Sequence, residues 1–257
     1  MNERDQRLQQ IVTIVEDEDT VSVEYLQDKL GVSGSTVRGD LRLLAKEGRI
    51  RREHGRVTRV GDHAASPSGL PSFEKRLKIR QAEKEAIAKL AESFIAENDS
   101  IILDASSTCY HLAKRLYTST KALTVVTNGI QSAQLLNQNP RLQVILIGGT
   151  LGVQNNTEGI LGIELFKHLN IKKCFLSGYG ISVEQGVTDF SLLEIEMKKK
   201  FVEVAQRAYI LTDSTKFGVV SVGKFCDAEQ AEAIITDNEL SEETASEYLA
   251  HGVQIIR

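Results

Sequence analysis

Seven short aliphatic runs between residues 100 and 256 most strongly constrain the fold of this 257-residue chain. Each run is three to six residues long and lacks the apolar and polar alternation of a half-exposed strand, and helical segments separate most of them. Strands covered on both faces and separated by helices predict a doubly wound, mostly parallel α/β sheet. The predicted strands span residues 100–104, 123–127, 142–147, 174–177, 208–212, 233–236 and 254–256.

The composition narrows the class of protein further. With 41% hydrophobic and 26% charged residues the chain can bury a sizeable core, which excludes disordered and fibrous classes. Its apolar runs, such as residues 144–147, are far shorter than the ~20 residues that cross a bilayer, so we expect a soluble, cytoplasmic protein. Cys109, Cys174 and Cys226 are widely spaced, which predicts free thiols and neither a zinc site nor a disulfide framework.

Charge is distributed unevenly along the chain. The net charge is −4, but residues 38–59 carry eight Lys/Arg against three Asp/Glu, whereas residues 1–37 carry three against eight. A concentrated positive segment on an otherwise acidic protein is typical of a surface that meets a phosphate backbone. A solvated charged face is the alternative for the charge run taken alone.

The first sixty residues have the pattern of a small helical unit followed by a hairpin. Apolar residues at helical spacing predict three helices, with Ser22 and Ser33 as N-caps of the second and third, and Gly31 ending the second. Two helices joined by so short a turn form a helix-turn-helix. Residues 49–59 predict two basic strands turning near His54 and Gly55, which makes the unit a winged helix-turn-helix.

The third helix and the wing are the predicted DNA-binding surface. In this motif the recognition helix enters the major groove, and arginines contact guanines or phosphates. A three-helix unit also occurs as a protein-interaction module, but that alternative does not account for the positive charge here. The candidate DNA-binding residues are Ser33, Ser35, Thr36, Arg38, Arg42, Arg51, Arg52, His54 and Arg56.

Residues 21–57 resemble the N-terminal signature of the DeoR family of bacterial transcriptional regulators. The matching residues are Val32, Ser33, Thr36, Val37, Arg38, Asp40 and Leu41, with Arg52, His54 and Gly55 in the wing. Two positions depart from the family pattern, since Gly39 stands where a second arginine is common and Arg56 where a second glycine is common. Gly39 removes a cation and costs ~1 kcal/mol of helix propensity relative to alanine.

A linker separates this unit from the rest of the chain. Residues 61–72 are rich in Gly, Ser, Pro and Ala, so we predict a DNA-binding domain over 1–60, a linker over 61–72 and a second domain over 73–257. A long amphipathic helix is predicted from Phe73 to about Glu97, with Ile79 and Ile87 in its buried stripe.

Polar and glycine residues follow the predicted strands. Ligands bind at the carboxyl ends of parallel strands, where hydroxyls and backbone N–H groups hold phosphate and carboxylates hold hydroxyls. Each motif alone is equally compatible with a helix cap or a bare turn, but five together predict a pocket for a phosphorylated polyol. The candidate effector-binding residues are Asp104, Ser106, Ser107, Thr108, Thr127, Asn128, Gly148, Gly149, Gly178, Thr188, Glu194 and Lys216.

The C-terminal part is also similar to the DeoR family, whose effector domains have a fold similar to ribose-5-phosphate isomerase. The motifs that match include Asp104, Ser107 and Thr108, then Thr127 and Asn128, Gly148 and Gly149, Gly186 and Thr188, and Asp213, Lys216 and Phe217; a Phe73-Glu74-x-Arg76 segment matches as well. Ser106 stands where many members have glycine, a variation associated with regulators of sugar alcohols and amino sugars.

These patterns predict a transcriptional regulator and not an enzyme. We expect a repressor of a carbohydrate operon that binds double-stranded DNA as a homodimer or homotetramer and responds to a phosphorylated sugar or sugar alcohol, with no cofactor, metal or membrane partner. A sugar-phosphate isomerase drawing its acid and base from Asp104, Asp189, Glu194 and Lys216 is the alternative function, and a protein-interaction adaptor is a third.

Overall fold

A computed structural model describes residues 3–18, 20–53, 56–59 and 71–257. Its contacts divide the chain into two compact units, Met1–Leu70 and Pro71–Arg257. Within the described residues, no helix combines the length and the apolar character that a membrane span requires.

The N-terminal unit is a winged helix-turn-helix. Its elements are α1 (Glu3–Glu18), β1 (Thr20–Ser22), α2 (Val23–Leu30), α3 (Gly34–Lys46), β2 (Ile50–Glu53) and β3 (Arg56–Arg59). The strands form an antiparallel sheet in the order β1-β3-β2. The hairpin is as predicted, but β1 was not predicted, because its three residues carry no pattern of their own and are ordered by pairing with β3.

Local capping determines where the helices of this unit begin and end. The Tyr25 amide donates to Ser22 Oγ (3.1 Å) and the Thr36 amide donates to Ser33 Oγ (3.3 Å). Gly31 ends α2 in the left-handed conformation, at φ +64°. Each cap satisfies backbone groups that a helix end leaves without a partner, as the sequence predicts.

Asp40 has a structural role within this unit. It is buried on α3 and accepts hydrogen bonds from two arginines of α1, Arg7 Nε at 2.7 Å and Arg4 Nε at 3.1 Å. A buried carboxylate requires such partners, because desolvation penalises its charge. Asp40 therefore ties α3 to α1, a role that its place in the sequence motif does not reveal.

The C-terminal unit contains a doubly wound α/β sheet with two small antiparallel additions. Its helices are α4 (Phe73–Lys78), α5 (Gln81–Glu92), α6 (Ser107–Tyr117), α7 (Ile130–Leu136), α8 (Leu192–Val204) and α9 (Glu242–Ala250). Its strands are β4 (Ser100–Leu103), β5 (Leu123–Thr127), β6 (Leu142–Leu146), β7 (Thr150–Leu151), β8 (Thr157–Glu158), β9 (Ile171–Leu176), β10 (Gly180–Ser182), β11 (Gly186–Asp189), β12 (Ala205–Leu211), β13 (Gly223–Cys226), β14 (Ala233–Ile235) and β15 (Ile255–Ile256).

The seven predicted strands all belong to one parallel sheet. Its order is β15-β14-β12-β9-β4-β5-β6, and each neighbouring pair is parallel. Successive residues of β4 enter different cores, since Ile101 and Leu103 pack with α5 and α6 whereas Ile102 packs with α8. A strand buried on both faces explains why these runs show no alternation. The predicted fold class is therefore confirmed.

The predicted long helix is wrong in its middle. It is interrupted at Ile79 and Arg80, where Arg80 adopts the left-handed conformation (φ +50°). The buried Lys84 ammonium donates to the carbonyl oxygens of Arg76 and of Ile79 (2.6 Å), so it supplies the donors that a continuous helix would have provided. Ile79, expected in the buried stripe, is 44% exposed.

The sequence did not predict two small antiparallel sheets of the C-terminal unit. β7 and β8 form a hairpin, and β10, β11 and β13 form a three-stranded sheet beside α8. These strands are two to four residues long, which is too short for a periodic pattern. They matter for function because they bring Asn156 and Asp189 to the carboxyl edge of the large sheet.

Candidate functional site

The exposed face of α3 carries the candidate DNA contacts. Ser35, Arg38 and Arg42 are exposed, whereas Val37, Leu41 and Leu44 are buried on the opposite face. The Ser33 hydroxyl lies 2.8 Å from Ser35 Oγ and 2.9 Å from Thr36 Oγ1, which forms a hydroxyl cluster at the helix N-terminus. The arginine and serine side chains of α3 therefore share the face that the core leaves free, whereas Asp40 is buried.

The wing carries the remaining candidates. Arg51 and Arg52 lie on β2 and Arg56 lies on β3, whereas His54 is outside the described residues. Gly39 lies on the exposed face of α3, and an added Cβ there would have no atom within 4 Å. The arginine that is common in the family at that position is therefore sterically compatible with this helix.

Asp104 anchors the second candidate site, at the carboxyl end of β4. Its buried carboxylate accepts from the Ser106 amide (2.9 Å) and from the Ser177 amide (2.8 Å), the latter directly after β9. Two neighbouring parallel strands are thus joined at their ends by one side chain. Ser106 caps α6 by accepting from the Cys109 amide (3.1 Å), and Ser107 and Thr108 are buried in its first turn.

Lys198 lies at the centre of this site, and sequence analysis missed it. Its ammonium donates to Asp189 Oδ2 (2.5 Å) and to the Ser177 carbonyl (2.7 Å). It also lies 3.5 Å from Asp104 Oδ2 and 3.7 Å from Glu194 Oε2. We use the name carboxylate–lysine cluster for these residues together with Lys216: Asp104, Ser177, Asp189, Glu194, Lys198 and Lys216. The available signal was the position of Lys198 one helical turn after Glu194 on α8.

The cluster shifts the pKa values of its members in different directions. Burial alone would lower the pKa of Lys198, but Asp189, Asp104 and Glu194 outweigh it and raise that pKa. Burial would raise the pKa of Asp189, but Lys198 holds it below its usual value. For Glu194 burial prevails over Lys198, so its pKa is raised. Asp189 is therefore the firmly ionised carboxylate, and Glu194 the one that accepts a proton more readily.

Lys216 joins the cluster from the turn after β12. Its ammonium donates to the Gly178 carbonyl (2.8 Å) and to Ser177 Oγ (3.4 Å), and burial lowers its pKa. Gly178 is packed so closely that an added Cβ would lie 2.8 Å from Val187 Cγ1. Thr188 is also nearby in the chain, but its hydroxyl is occupied, since it accepts from the Ser221 amide (2.9 Å) and donates to the Gly180 carbonyl (3.2 Å).

Asn156 connects the β7–β8 hairpin to the cluster, and Asn128 connects the same hairpin to the turn after β5. Asn156, which sequence analysis did not single out, donates from Nδ2 to Glu194 Oε1 (2.9 Å), and Asn128 donates to the Thr157 carbonyl (3.1 Å). The Oδ1 atoms of Asn128 and Asn156 are buried and accept no hydrogen bond from the described residues. Buried acceptors without donors are costly, which makes them candidates to receive ligand hydroxyls.

Three other predicted residues serve local structure. Thr127 Oγ1 accepts from the Gly129 amide (3.0 Å) and so shapes the turn after β5. Gly149 packs against the hairpin, where an added Cβ would lie 2.5 Å from the Glu158 carbonyl oxygen, whereas Gly148 has open space around it. Thr127 therefore supports a turn, and Gly149 allows the close packing of the β7–β8 hairpin.

Arg76 and Lys84 add positive charge from α4 and α5. The Arg76 guanidinium donates to Gln154 Oε1 (3.1 Å), and its buried Nε has no hydrogen-bond partner among the described residues. Burial lowers its pKa, although Glu194, Asp189 and Asp104 oppose the shift. Burial and Lys216 lower the pKa of Lys84 to about 8. Arg76 and Lys216 thus lie close enough to Lys84 to disfavour its charge, and Arg76 also disfavours the charge of Lys216.

The lowered pKa of Lys84 predicts that this residue makes the protein more stable as the pH rises above about 8. The pKa of Lys84 is about 8 in the folded protein, against an ordinary value of 10.5. Between these two pH values the folded protein therefore binds fewer protons at Lys84 than the unfolded chain does. Because of this difference, the contribution of Lys84 to the free energy of unfolding rises with pH in that window. Urea unfolding of the wild type and of Lys84→Met at pH 7.5 and 9.5 should show the wild type gaining stability relative to the variant. An unchanged difference between the two proteins would contradict the shift.

A separate groove of about 710 Å³ lies between the end of β10, the turn after β12, and α9. It is lined by residues that include Ser182, Phe217, Glu239 and Tyr248, and by none of the twelve candidate effector residues. The carboxylate–lysine cluster combines several buried charges with the neighbouring unpaired Oδ1 atom of Asn156, and for that reason the cluster and not the groove is the candidate site.

Comparison with known proteins assigns both units to families. Residues 7–62 match the family model described as the DeoR-like helix-turn-helix domain, and residues 79–238 match the DeoR C terminal sensor domain. The chain is 35% identical over 251 residues to the HTH-type transcriptional regulator GolR of Listeria innocua, with 97% of each chain covered. It is 28% identical over 252 residues to a putative aga operon transcriptional repressor of Escherichia coli O157:H7, with 98% of this chain and 93% of that protein covered.

Among solved structures, the chain is similar to a D-ribose-5-phosphate isomerase in complex with phospho-erythronic acid, with a TM-score of 0.41 and 15% identity over 53% of this chain and 54% of that one. The full-length sorbitol operon regulator SorC from Klebsiella pneumoniae matches with a TM-score of 0.39 and 8% identity over 93% of this chain and 98% of that one.

Proposed function

The chain belongs to the DeoR family of transcriptional regulators, and from this premise we propose that it represses a carbohydrate uptake or catabolic operon. In this proposal a phosphorylated sugar or sugar alcohol binds the C-terminal unit and changes the affinity of the N-terminal unit for DNA. We assign DNA binding to residues 1–60, the linker to 61–72 and effector binding to 73–257. The similarity to the putative aga operon transcriptional repressor of Escherichia coli O157:H7 supports the repressor role.

The convergence of cations carries the effector half of the proposal. Burial lowers the pKa values of Arg76, Lys84 and Lys216; Arg76 lowers those of Lys84 and Lys216 further, and Lys216 lowers that of Lys84. An anion bound among them relieves that repulsion, and a phosphate group also accepts hydrogen bonds from lysine and arginine donors. We therefore assign phosphate binding to this side of the site, together with the N-terminus of α6 at Ser106, Ser107 and Thr108.

The carboxylates and asparagines are suited to hydroxyl groups. Glu194 and the unpaired Oδ1 atoms of Asn128 and Asn156 are acceptors for sugar hydroxyls. A ligand with an anionic end and several hydroxyls satisfies both halves of the site, which supports a sugar phosphate over an unphosphorylated sugar or a simple anion.

DNA binding is assigned to α3 and the wing. Arg38 and Arg42 are exposed on the helix that follows the turn, as groove contacts require. Because operators are commonly read as symmetric half-sites, we propose that the active form is a homodimer or homotetramer. A coupling of about 1–3 kcal/mol between effector and DNA would be typical of such a switch.

One observation keeps a catalytic function under consideration. Asp189 and Glu194 have pKa values shifted in opposite directions within one buried cluster, which is the arrangement by which a site separates an acid from a base. A turnover assay on pentose and hexose phosphates separates the two functions. The regulator proposal expects no rate above background, whereas robust isomerase turnover would support the enzyme.

The test of the proposed function is binding of the full-length protein to the DNA upstream of its own gene, measured by fluorescence anisotropy at two salt concentrations and repeated with a panel of sugar phosphates. The proposal expects sequence-specific, salt-sensitive binding that one sugar phosphate alters. Absence of specific DNA binding under all conditions would overturn it.

Lys216→Met tests the assignment of the effector site. The variant removes one of the proposed phosphate donors, so the sugar phosphate concentration needed for half-maximal release or promotion of DNA binding should rise by about 10-fold or more. DNA affinity without effector should stay at the wild-type value. The matched control is Lys224→Met, which removes an exposed lysine that pairs with Asp227 and should leave the response unchanged. Equal responses of the two variants would contradict the assignment.

A further inference from the structure

A group of large apolar side chains on the C-terminal unit is exposed to an unusual degree. Eight of them come from three segments, the β7–β8 hairpin with the residues after it, the first turn of α8, and the loop before β13. Their exposed fractions range from 46% for Val153 to 80% for Leu161. We call this set the apolar face: Leu151, Val153, Ile160, Leu161, Leu192, Leu193, Val220 and Val222.

The three segments are contiguous. Asn156, at the turn of the hairpin, donates to Glu194 in the first turn of α8 (2.9 Å), which joins the first segment to the second. Gly223, next to Val222, packs against the same turn, since an added Cβ would lie 3.9 Å from Leu192 Cδ2. Gly162, next to Leu161, packs against Gly148 at the start of the hairpin. The three segments are therefore neighbours on the C-terminal unit, and Val220 also borders the groove lined by Phe217 and Tyr248.

This part of the surface is almost free of charge. Residues 146–163 contain one ionisable side chain, Glu158, and residues 190–193 and 217–223 contain none, in a chain that is 26% charged. Contiguous apolar surface of more than a few hundred Å² is rare on monomeric proteins and marks a site of association. Other exposed apolar residues of the unit, such as Tyr117 on α6 and Leu249 on α9, lie on separate elements and need no such explanation.

We infer that a second copy of this chain docks on the apolar face. In a two-fold interface each patch meets itself, so any net charge on the patch would repel its own copy. An uncharged apolar patch is self-complementary in this sense, whereas a patch evolved for DNA or for an acidic partner would carry cations. The inference names the surface behind the oligomer in the proposed function, and it rests on that function only for the expectation that a dimer or tetramer exists.

The docking surface lies at the rim of the carboxylate–lysine cluster. Asn156 and Glu194 belong to the same segments as Leu151 and Leu193. Their side chains are joined by the hydrogen bond from Asn156 Nδ2 to Glu194 Oε1. Substitutions that test the face must therefore change the exposed apolar side chains and leave these polar residues intact.

The experiment is sedimentation equilibrium of the full-length protein over a range of concentrations. The variants Leu193→Asp and Val222→Asp place a carboxylate in two different segments of the face, and the control Leu249→Asp changes a leucine of similar exposure on α9. We expect a self-associating wild type, association weakened by at least about 30-fold in each face variant, and wild-type association in the control. Far-UV circular dichroism confirms folding, and Leu193→Gln replaces Leu193→Asp if the latter is unfolded.

A wild type that stays monomeric at all concentrations would overturn the inference, as would face variants that associate as strongly as Leu249→Asp. The outcomes are separable from those of the proposed function. An associating wild type that binds no specific DNA contradicts the regulator proposal and leaves the face in place, whereas specific DNA binding by a protein whose face variants still associate contradicts only the face.

Discussion

Replacing Arg38 and Arg42 together by alanine is expected to weaken specific DNA binding by at least about 100-fold, since a good arginine contact to a base contributes about 1–3 kcal/mol. Both side chains lie on the exposed face of α3, opposite the buried Val37 and Leu41. The core of the unit does not depend on them, so the N-terminal unit should unfold at the same urea concentration as in the wild type. Fluorescence anisotropy with the upstream DNA measures the loss.

The control and the salt dependence make this prediction specific. Lys89→Ala with Lys199→Ala removes the same charge from exposed positions of the C-terminal unit and should leave DNA affinity within about threefold of wild type. If the arginines contact phosphates, the salt slope falls by about one for each of them and all sequences weaken alike; if they contact bases, the preference for the operator falls as well. An Arg38 and Arg42 variant that binds like the control would place the DNA contacts elsewhere.

Lys198→Met is expected to destabilise the C-terminal unit by about 3–5 kcal/mol, the cost of leaving buried carboxylates without their counter-ion. The ammonium lies within 2.5–3.7 Å of carboxylate oxygens from Asp104, Asp189 and Glu194, and its side chain is 7% exposed. Methionine fills a similar volume, so the loss reports on charge and not on a cavity. Urea unfolding followed by circular dichroism measures the change as a lower midpoint of the transition of this unit.

The adjacent residue supplies the control for this prediction. Lys199 is half-exposed and pairs with Glu196 at helical spacing, so Lys199→Met should change stability by less than about 0.5 kcal/mol. Lowering the pH should narrow the difference between Lys198→Met and the wild type, because the abandoned carboxylates take up protons while the wild type loses the stability that the lowered pKa of Asp189 provides. If Lys198→Met were less stable than the wild type by under about 1 kcal/mol at neutral pH, the cluster would not need its lysine for stability.

Several features of the structure depend on side-chain contacts that a local sequence pattern does not show. The break at Ile79 and Arg80 depends on the Lys84 ammonium, which satisfies carbonyls that an amphipathic pattern assigns to a continuous helix. Lys198 was overlooked because a lysine on an amphipathic helix ordinarily faces solvent, and its burial follows from the position of β11, a short strand without a pattern. Asn156 belongs to a hairpin whose strands have two residues each.

The sequence by itself determined the elements whose signals are local. Hydroxyl caps at Ser22 and Ser33, the left-handed Gly31 and the seven unalternating aliphatic runs depend on neighbouring residues, so they predicted the winged helix-turn-helix and the parallel sheet. Only the tertiary structure decided which distant charges meet, such as Asp40 with Arg7 or Lys198 with Asp104. The physical reason is that backbone capping and burial periodicity act over one or two turns or strands, whereas a buried ion pair is created by the packing that removes both groups from water.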